Sequence, residues 1–413
     1  MNVRRSAAAL AAAAVIGAAT PALAASPSPT PSVAIPDGLY GTADPTYDGV
    51  WRQSLALLAQ DTAGVVPADR AVAWLTGQQC ANGAYAAFRP DPAKPCDAKL
   101  MVDTNSTAAA VQALTALGGH AARTGKAVAW LKSVQNADGG WGYNPGGASD
   151  ANSTAVVTGA LVAAGELPEQ VVKGGKSPYD ALLMFALPCT GDGAGAFAYQ
   201  PDKQGKLTAN ADATAAAVLG ALGQPLNASP KKADNAKKGA DATASGCAAP
   251  TTPEQAARNG ARYLSTALAK DHHLVSALPG AENQPDYGNT ADAVVALAAA
   301  GHTDEATAAL RWLEANAPQW AAQSGPAAYA QLVLAAHATG TDPRAFGSTD
   351  LVRLLDATGP APKQTATKKP EASDASDDDG GSATLWVTVG AVVLVVLVAA
   401  ALFLARARRR QQP

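Results

Sequence analysis

Apolar residues along the chain gather in Ala-, Val- and Leu-rich runs, separated by short polar stretches that hold Gly or Pro. Runs of that length with breaks of that kind predict helices. They fall near residues 48–60, 67–79, 104–118, 124–135, 151–164 and 178–187, then near 210–222, 253–268, 288–300, 303–316, 325–339 and 347–356. No stretch has the alternating, β-branched pattern of a strand, so the expected fold class is all-α.

Alternate helices open on a repeated polar signature. It reads Asp103-Thr104-Asn105-Ser106-Thr107-Ala108, then Asp150-Ala151-Asn152-Ser153-Thr154-Ala155. Looser copies are Asn210-Ala211-Asp212-Ala213-Thr214-Ala215 and Asp286-Tyr287-Gly288-Asn289-Thr290-Ala291. Such side chains accept hydrogen bonds from the free N–H groups at a helix start, so they mark N-termini. The helices they open are rich in Ala and suit a crowded inner layer.

The helices between them carry a second repeat. Arg70-Ala71-Val72-Ala73-Trp74-Leu75 runs on to Gln79 and to Gly83-Ala84-Tyr85; Lys126-Ala127-Val128-Ala129-Trp130-Leu131 runs on, at the same offsets, to Gln135 and to Gly139-Gly140-Trp141. Arg262-Tyr263-Leu264 and Arg311-Trp312-Leu313 are fainter copies that lack the Gln. Recurrence in register points to a repeat architecture.

This pattern resembles the QW motif of squalene and hopene cyclases, which share an α/α toroid with protein prenyltransferase β subunits. The toroid of the cobalamin carriers, intrinsic factor and transcobalamin, is similar too. The resemblance spans roughly residues 48–357 and implies an α6/α6 toroid, with six inner helices inside six outer ones. It also implies that Gln79, Gln135, Tyr85 and Trp141 brace the fold. Residues 224–252 interrupt the spacing and are expected to form an exposed insertion.

The ends place the chain. Arg4 and Arg5 precede an apolar run, and Ala22-Leu23-Ala24 fits a cleavage site, so residues 1–25 are expected to be a secretory signal peptide and 26–47 a flexible lead-in. Residues 384–405 are apolar for long enough to span a bilayer, and Arg406 to Arg410 would hold the tail of residues 406–413 inside. Residues 358–383 form a charged tether. The expected product is an extracellular domain on a single membrane helix. Setting aside Arg4, Arg5 and the four tail arginines leaves 25 basic against 34 acidic residues, which argues against nucleic acid as a partner. The four cysteines of a secreted chain suggest two disulfides, with Cys80–Cys96 and Cys189–Cys247 favoured among three pairings and no metal site expected.

If the inner helices run parallel, their N-termini converge on one mouth, ringed by Asp103, Asn105, Asp150, Asn152, Asn210, Asp212, Asp286 and Asn289. Trp141, Tyr143 and Tyr287 join them as candidate ligand contacts, with Tyr85, Phe88, Phe197 and Tyr199 on the same loops. His272-His273 is read as an exposed pair. The cyclases use an Asp-x-Asp-Asp-Thr-Ala segment as proton donor. Here Asn105 and Asn152 stand in its middle position, and Asn donates no catalytic proton at ordinary pH. Asp212 is the one carboxylate left there, and the catalytic candidate if the chain is an enzyme. The expected function is therefore capture of a small molecule, cobalamin-like or hydrophobic, with a separate lid protein or membrane transporter as partner. A terpene cyclase or prenyltransferase-type enzyme is the alternative, and a structural or protein-binding surface component the third reading. No cofactor is required beyond cobalamin as a ligand.

Overall fold

Residues 34–230, 246–277 and 281–363 are described by the computed structural model. The signal peptide, residues 231–245 of the insertion, most of the tether, the membrane span and the basic tail lie outside them.

All twelve expected helices form. In chain order they are α1 (Gly49–Thr62), α2 (Asp69–Gly77), α3 (Thr104–Leu117), α4 (Ala121–Ser133), α5 (Ala151–Ala163), α6 (Pro178–Phe185), α7 (Ala211–Ala221), α8 (Pro253–Leu268), α9 (Tyr287–Ala300) and α10 (Thr303–Asn316). A short α11 (Pro318–Ser324) precedes α12 (Pro326–Thr339) and α13 (Leu351–Asp356). The expectation of no strands needs correcting. Tyr85–Ala86 (β1) pairs antiparallel with Val102–Asp103 (β2), and Leu274–Val275 (β3) with Pro285–Asp286 (β4). Each ribbon is two residues long, too short for any alternation to register in the sequence.

The polar signatures are caps. Asp103 accepts the Ser106 N–H at 2.6 Å, Asp150 that of Ser153 at 2.7 Å, Asn210 that of Ala213 at 2.8 Å and Asp286 that of Asn289 at 3.0 Å. The Thr four residues past each cap fixes the incoming loop. Thr107, Thr154, Thr214 and Thr290 accept the backbone N–H of Tyr85, Trp141, Phe197 and Leu274 at 2.9–3.1 Å.

Helices α1, α3, α5, α7, α9 and α12 pack side by side in a closed ring, α12 returning to α1. Helices α2, α4, α6, α8, α10 and α13 lie against them from outside. Alanine predominates in the ring, and nearly every residue of α9 from Thr290 to Ala299 is buried. Small side chains allow that close approach.

The Gln of each QW-like segment links neighbouring repeats. Gln135 donates to Gly139 O at 2.8 Å and to Val171 O at 3.0 Å; Gln79 donates to Gly83 O at 3.1 Å and to Arg123 O at 2.9 Å. The glycines are required there. Gly139 has φ +87°, and a Cβ on it would stand 2.2 Å from Ser177 O.

Two boundary expectations change. The lead-in is packed from Leu39 onward. Tyr40 is fully buried, its hydroxyl donates to Gln60 Oε1 at 2.9 Å, and Gly41 N–H donates to Thr358 O. The first residues of the tether also pack, with Lys363 N–H on Val66 O. The expected insertion is not wholly exposed. Its first residues turn under the ring from the end of α7, where Leu226 N–H donates to Gln112 Oε1 on α3 at 2.8 Å and Ala228 is buried. A Cβ on Gly159 of α5 would stand 3.0 Å from Gln224 O, and Pro230 lies by Gly340 at the end of α12. Gln112 and Gly159 are each nine residues past their caps, so this segment closes the far end of the ring from within. Both expected disulfides form, Cys80–Cys96 and Cys189–Cys247.

Candidate functional site

The inner helices present their caps on one face of the ring. The loops above interlock: Val50 N–H donates to Ala87 O, Thr104 N–H to Tyr143 O and Ala151 N–H to Tyr199 O, at 2.8–3.0 Å. Each loop thus satisfies the first turn of the inner helix before it.

Inside that face a few residues keep partial exposure on helices that are otherwise buried: Asn105, Asn152, Asp212, Ala216, Asp292, Ala327 and Gln331. They stand two or six residues past their caps, one turn apart on a single face. Neighbours and outer helices cover the other faces, so these residues line a pit at the mouth. Deeper positions such as Ala113, Ala160, Ala296 and Ala335 are fully buried, so the pit goes no further than about two turns.

A polar seam crosses four inner helices in this pit. Asn152 on α5 donates its amide to Asp212 Oδ2 on α7 at 2.7 Å. Gln331 on α12 donates to Asp292 Oδ1 and Oδ2 on α9 at 3.3 and 3.2 Å. Asp212 and Asp286 both act on Asp292 electrostatically. Burial, then the Asp212 charge, pushes the Asp292 carboxyl up to about 7, against the Gln331 hydrogen bond. Burial also raises Asp212; the Asn152 bond offsets part of that, and Asp286 adds to it.

Beside the seam lies a row of aromatic rings. Tyr287 stacks on Trp312 at 5.3 Å and on Trp320 at 5.5 Å, and His273 meets Trp312 at 4.3 Å. Trp320 and Gln331 come together over Gly288, where a Cβ would stand 3.7 Å from Trp320 Cζ2 and 3.6 Å from Gln331 Oε1.

Several expected contacts are placed elsewhere. Trp141 is fully buried and donates its indole N–H to Leu131 O at 2.7 Å, so it is core and not a ligand contact. Tyr85, Phe88 and Phe197 are buried as well. Asp103 and Asp150 are buried caps; burial raises both carboxyls, Asp103 to about 6. Asn210 is a half-buried cap, and Asp286 and Asn289 bond to each other, Asn289 Nδ2 to Asp286 Oδ2 at 2.8 Å. Tyr143 and Tyr199 are partly exposed at equivalent loop positions, over Asp103 and Asp150. Neither member of the His pair is helical. His272 is exposed, whereas His273 is half-buried in the aromatic row.

Asp292, Gln331, Trp312, Trp320 and His273 are additions to the expected set. Asp292 had a signal in the repeat. Two residues after the Thr, the other copies carry Ala109, Val156 and Ala216, and only this one carries a carboxylate. Among the described residues no three His, Cys, Asp or Glu side chains are grouped to hold a metal ion.

No protein-family model matches the chain, and no curated protein matches it. Among solved structures it is similar to a protein from Actinoplanes, at 16% identity over 73% of this chain and 93% of that one, with a TM-score of 0.45. It is similar also to a wild-type glycosidase and to a glycosidase variant in complex with glucose. Each is 16% identical over 71% of this chain and 99% of the other, with a TM-score of 0.29. Likenesses at these scores carry no argument about fold or activity.

Proposed function

We propose that the chain is an extracellular, membrane-tethered α6/α6 toroid of the cyclase–prenyltransferase type that captures a small molecule in the pit at its mouth. The closed ring, the outer helices and the Gln braces support the fold. The two disulfides fit an oxidising compartment outside the cytoplasm. The observation that carries the binding reading is the seam of Asn152, Asp212, Asp292 and Gln331. Four inner helices each contribute one polar side chain to one recess beside a row of aromatic rings.

A separate lid protein or transporter remains part of this reading. The segments leading into α1, α3, α5, α7 and α9 all expose large apolar side chains, among them Tyr47, Met101, Tyr143, Tyr199 and Val275. These are side chains that a covering partner would bury. Cobalamin stays a candidate ligand through the resemblance alone. Native mass spectrometry of the full chain, incubated with cobalamins and isoprenoids, tests the reading. A retained mass supports it, and a bare protein under every condition contradicts it.

One observation favours the enzyme instead. A carboxyl that titrates near neutrality is suited to proton transfer, and Asp292 lies within electrostatic reach of Asp212. That reading expects turnover of a polyprene that Asp292→Asn and Asp212→Asn each abolish.

A further inference from the structure

The hydrogen bonds of the seam leave mainly acceptors free. Asn152 and Gln331 turn their amide nitrogens toward Asp212 and Asp292 and their oxygens away. Asn152 Oδ1 is then fully buried without a partner, next to Asp212. Gln331 Oε1 stands at Gly288, beside the edge of Trp320. The charges acting on Asp212 and Asp292 come from aspartates alone; neither carboxylate has a Lys, Arg or His acting on it. Acceptors lacking a counter-cation suit a ligand that brings both N–H donors and positive charge.

We propose that the ligand of the pit is a protonated amine. Its N–H groups donate to Asp212, Asp292 and Gln331 Oε1, and its charge answers those of the two carboxylates. This rests on the mouth being a binding site and names the chemistry it takes. A neutral polyol would supply donors without charge, and a quaternary ammonium would supply charge without donors; the geometry favours the group with both.

Titration calorimetry of the full chain with putrescine, 1,4-butanediol and tetramethylammonium separates the three. The diamine and the diol have the same chain length and differ in charge. Putrescine is expected to bind at least tenfold more tightly than either comparator. The double variant Asp212→Asn, Asp292→Asn is expected to lose at least tenfold of that affinity. Asp292→Asn alone, with its helical circular dichroism intact, keeps the test open if the double variant fails to fold; an intermediate loss is expected. Equal binding of diol and diamine, tighter binding of tetramethylammonium, or an unchanged affinity in a folded variant overturns the inference. If a cobalamin or another uncharged ligand binds while putrescine is silent, the amine inference fails and the capture reading stands. If nothing binds, both fail.

Discussion

Asp292 and Gln331 stand at the same register on neighbouring inner helices, each six residues past the residue that opens its helix, Asp286 and Gly325 respectively. Gln331 Nε2 reaches both oxygens of Asp292. The pair joins α9 to α12 at the level where the ring stops being packed and becomes a pit. It also keeps a carboxyl in a place where burial and Asp212 work against its charge.

A pH dependence of stability follows. The Asp292 carboxyl is raised from 3.8 to about 7, so between those values the native state holds a proton that the unfolded chain has released. Stability therefore falls as pH rises through that window, and the deficit persists above it. Asp103, raised to about 6, acts in the same direction. Asp292→Asn is expected to flatten the slope between pH 5 and 7 and to raise the melting temperature at pH 8 by about 2 °C or more. Thermal unfolding across that range checks it; a variant with the wild-type slope would show that Asp292 does not carry the effect.

The repeat-to-repeat braces should dominate mutational stability outside the pit. Gln135→Ala leaves Gly139 O and Val171 O without their donor and is expected to cost about 1–3 kcal/mol. Gly139→Ala combines a positive φ with a clash on Ser177 O and is expected to cost more than about 2 kcal/mol. Urea midpoints at unchanged slope report both. A near-neutral Gly139→Ala contradicts the close approach of that turn to Ser177.

Trp141 and Tyr143 should behave oppositely although only Gly142 separates them. Trp141→Ala empties a fully buried site and is expected to cost about 3–5 kcal/mol. Tyr143→Ala, on the exposed rim, is expected to stay within about 0.5 kcal/mol of wild type. Comparable urea midpoints for the two would contradict the division between core and rim.

The disulfides differ in the loop they close. Cys189–Cys247 spans 58 residues and Cys80–Cys96 spans 16. On the chain-entropy account, removing the longer one as a paired Ser variant costs about 1 kcal/mol more. The reverse order would show that native-state packing around Cys80–Cys96 outweighs loop entropy.

Much of this was legible in the sequence because it rests on local chemistry. Helix starts are written in Asp103, Asp150, Asn210 and Asp286, and the braces in Gln79 and Gln135 with their glycines. The cap motif marks where a helix begins and leaves open which caps face solvent, so Asp103 and Asp150 were expected on the rim and lie buried beneath tyrosines. Trp141 repeats Tyr85 and Phe197 in register, and all three turn into the core. The closure of the ring's far end was hidden because Gln224 to Pro230 is polar and Pro-containing, like a loop, yet it folds under the ring, where Leu226 N–H donates to Gln112 Oε1. Trp312 and Trp320 belong to α10 and α11, near their ends, and reach the mouth only because α10 runs back toward it. The sequence marked Asp292 only as one odd position in a repeat, whereas Gln331 had no signature at all, since α12 lacks the polar opening of its neighbours.

The most direct test of the account is binding to the seam itself. The full chain and a variant carrying Asn152→Ala, Asp212→Asn, Asp292→Asn and Gln331→Ala would be compared by native mass spectrometry against the same panel of cobalamins, isoprenoids and amines, with matched circular dichroism spectra. The account predicts a ligand retained by the wild type and lost from the folded variant. Retention of the same ligand by both would place binding elsewhere and contradict it.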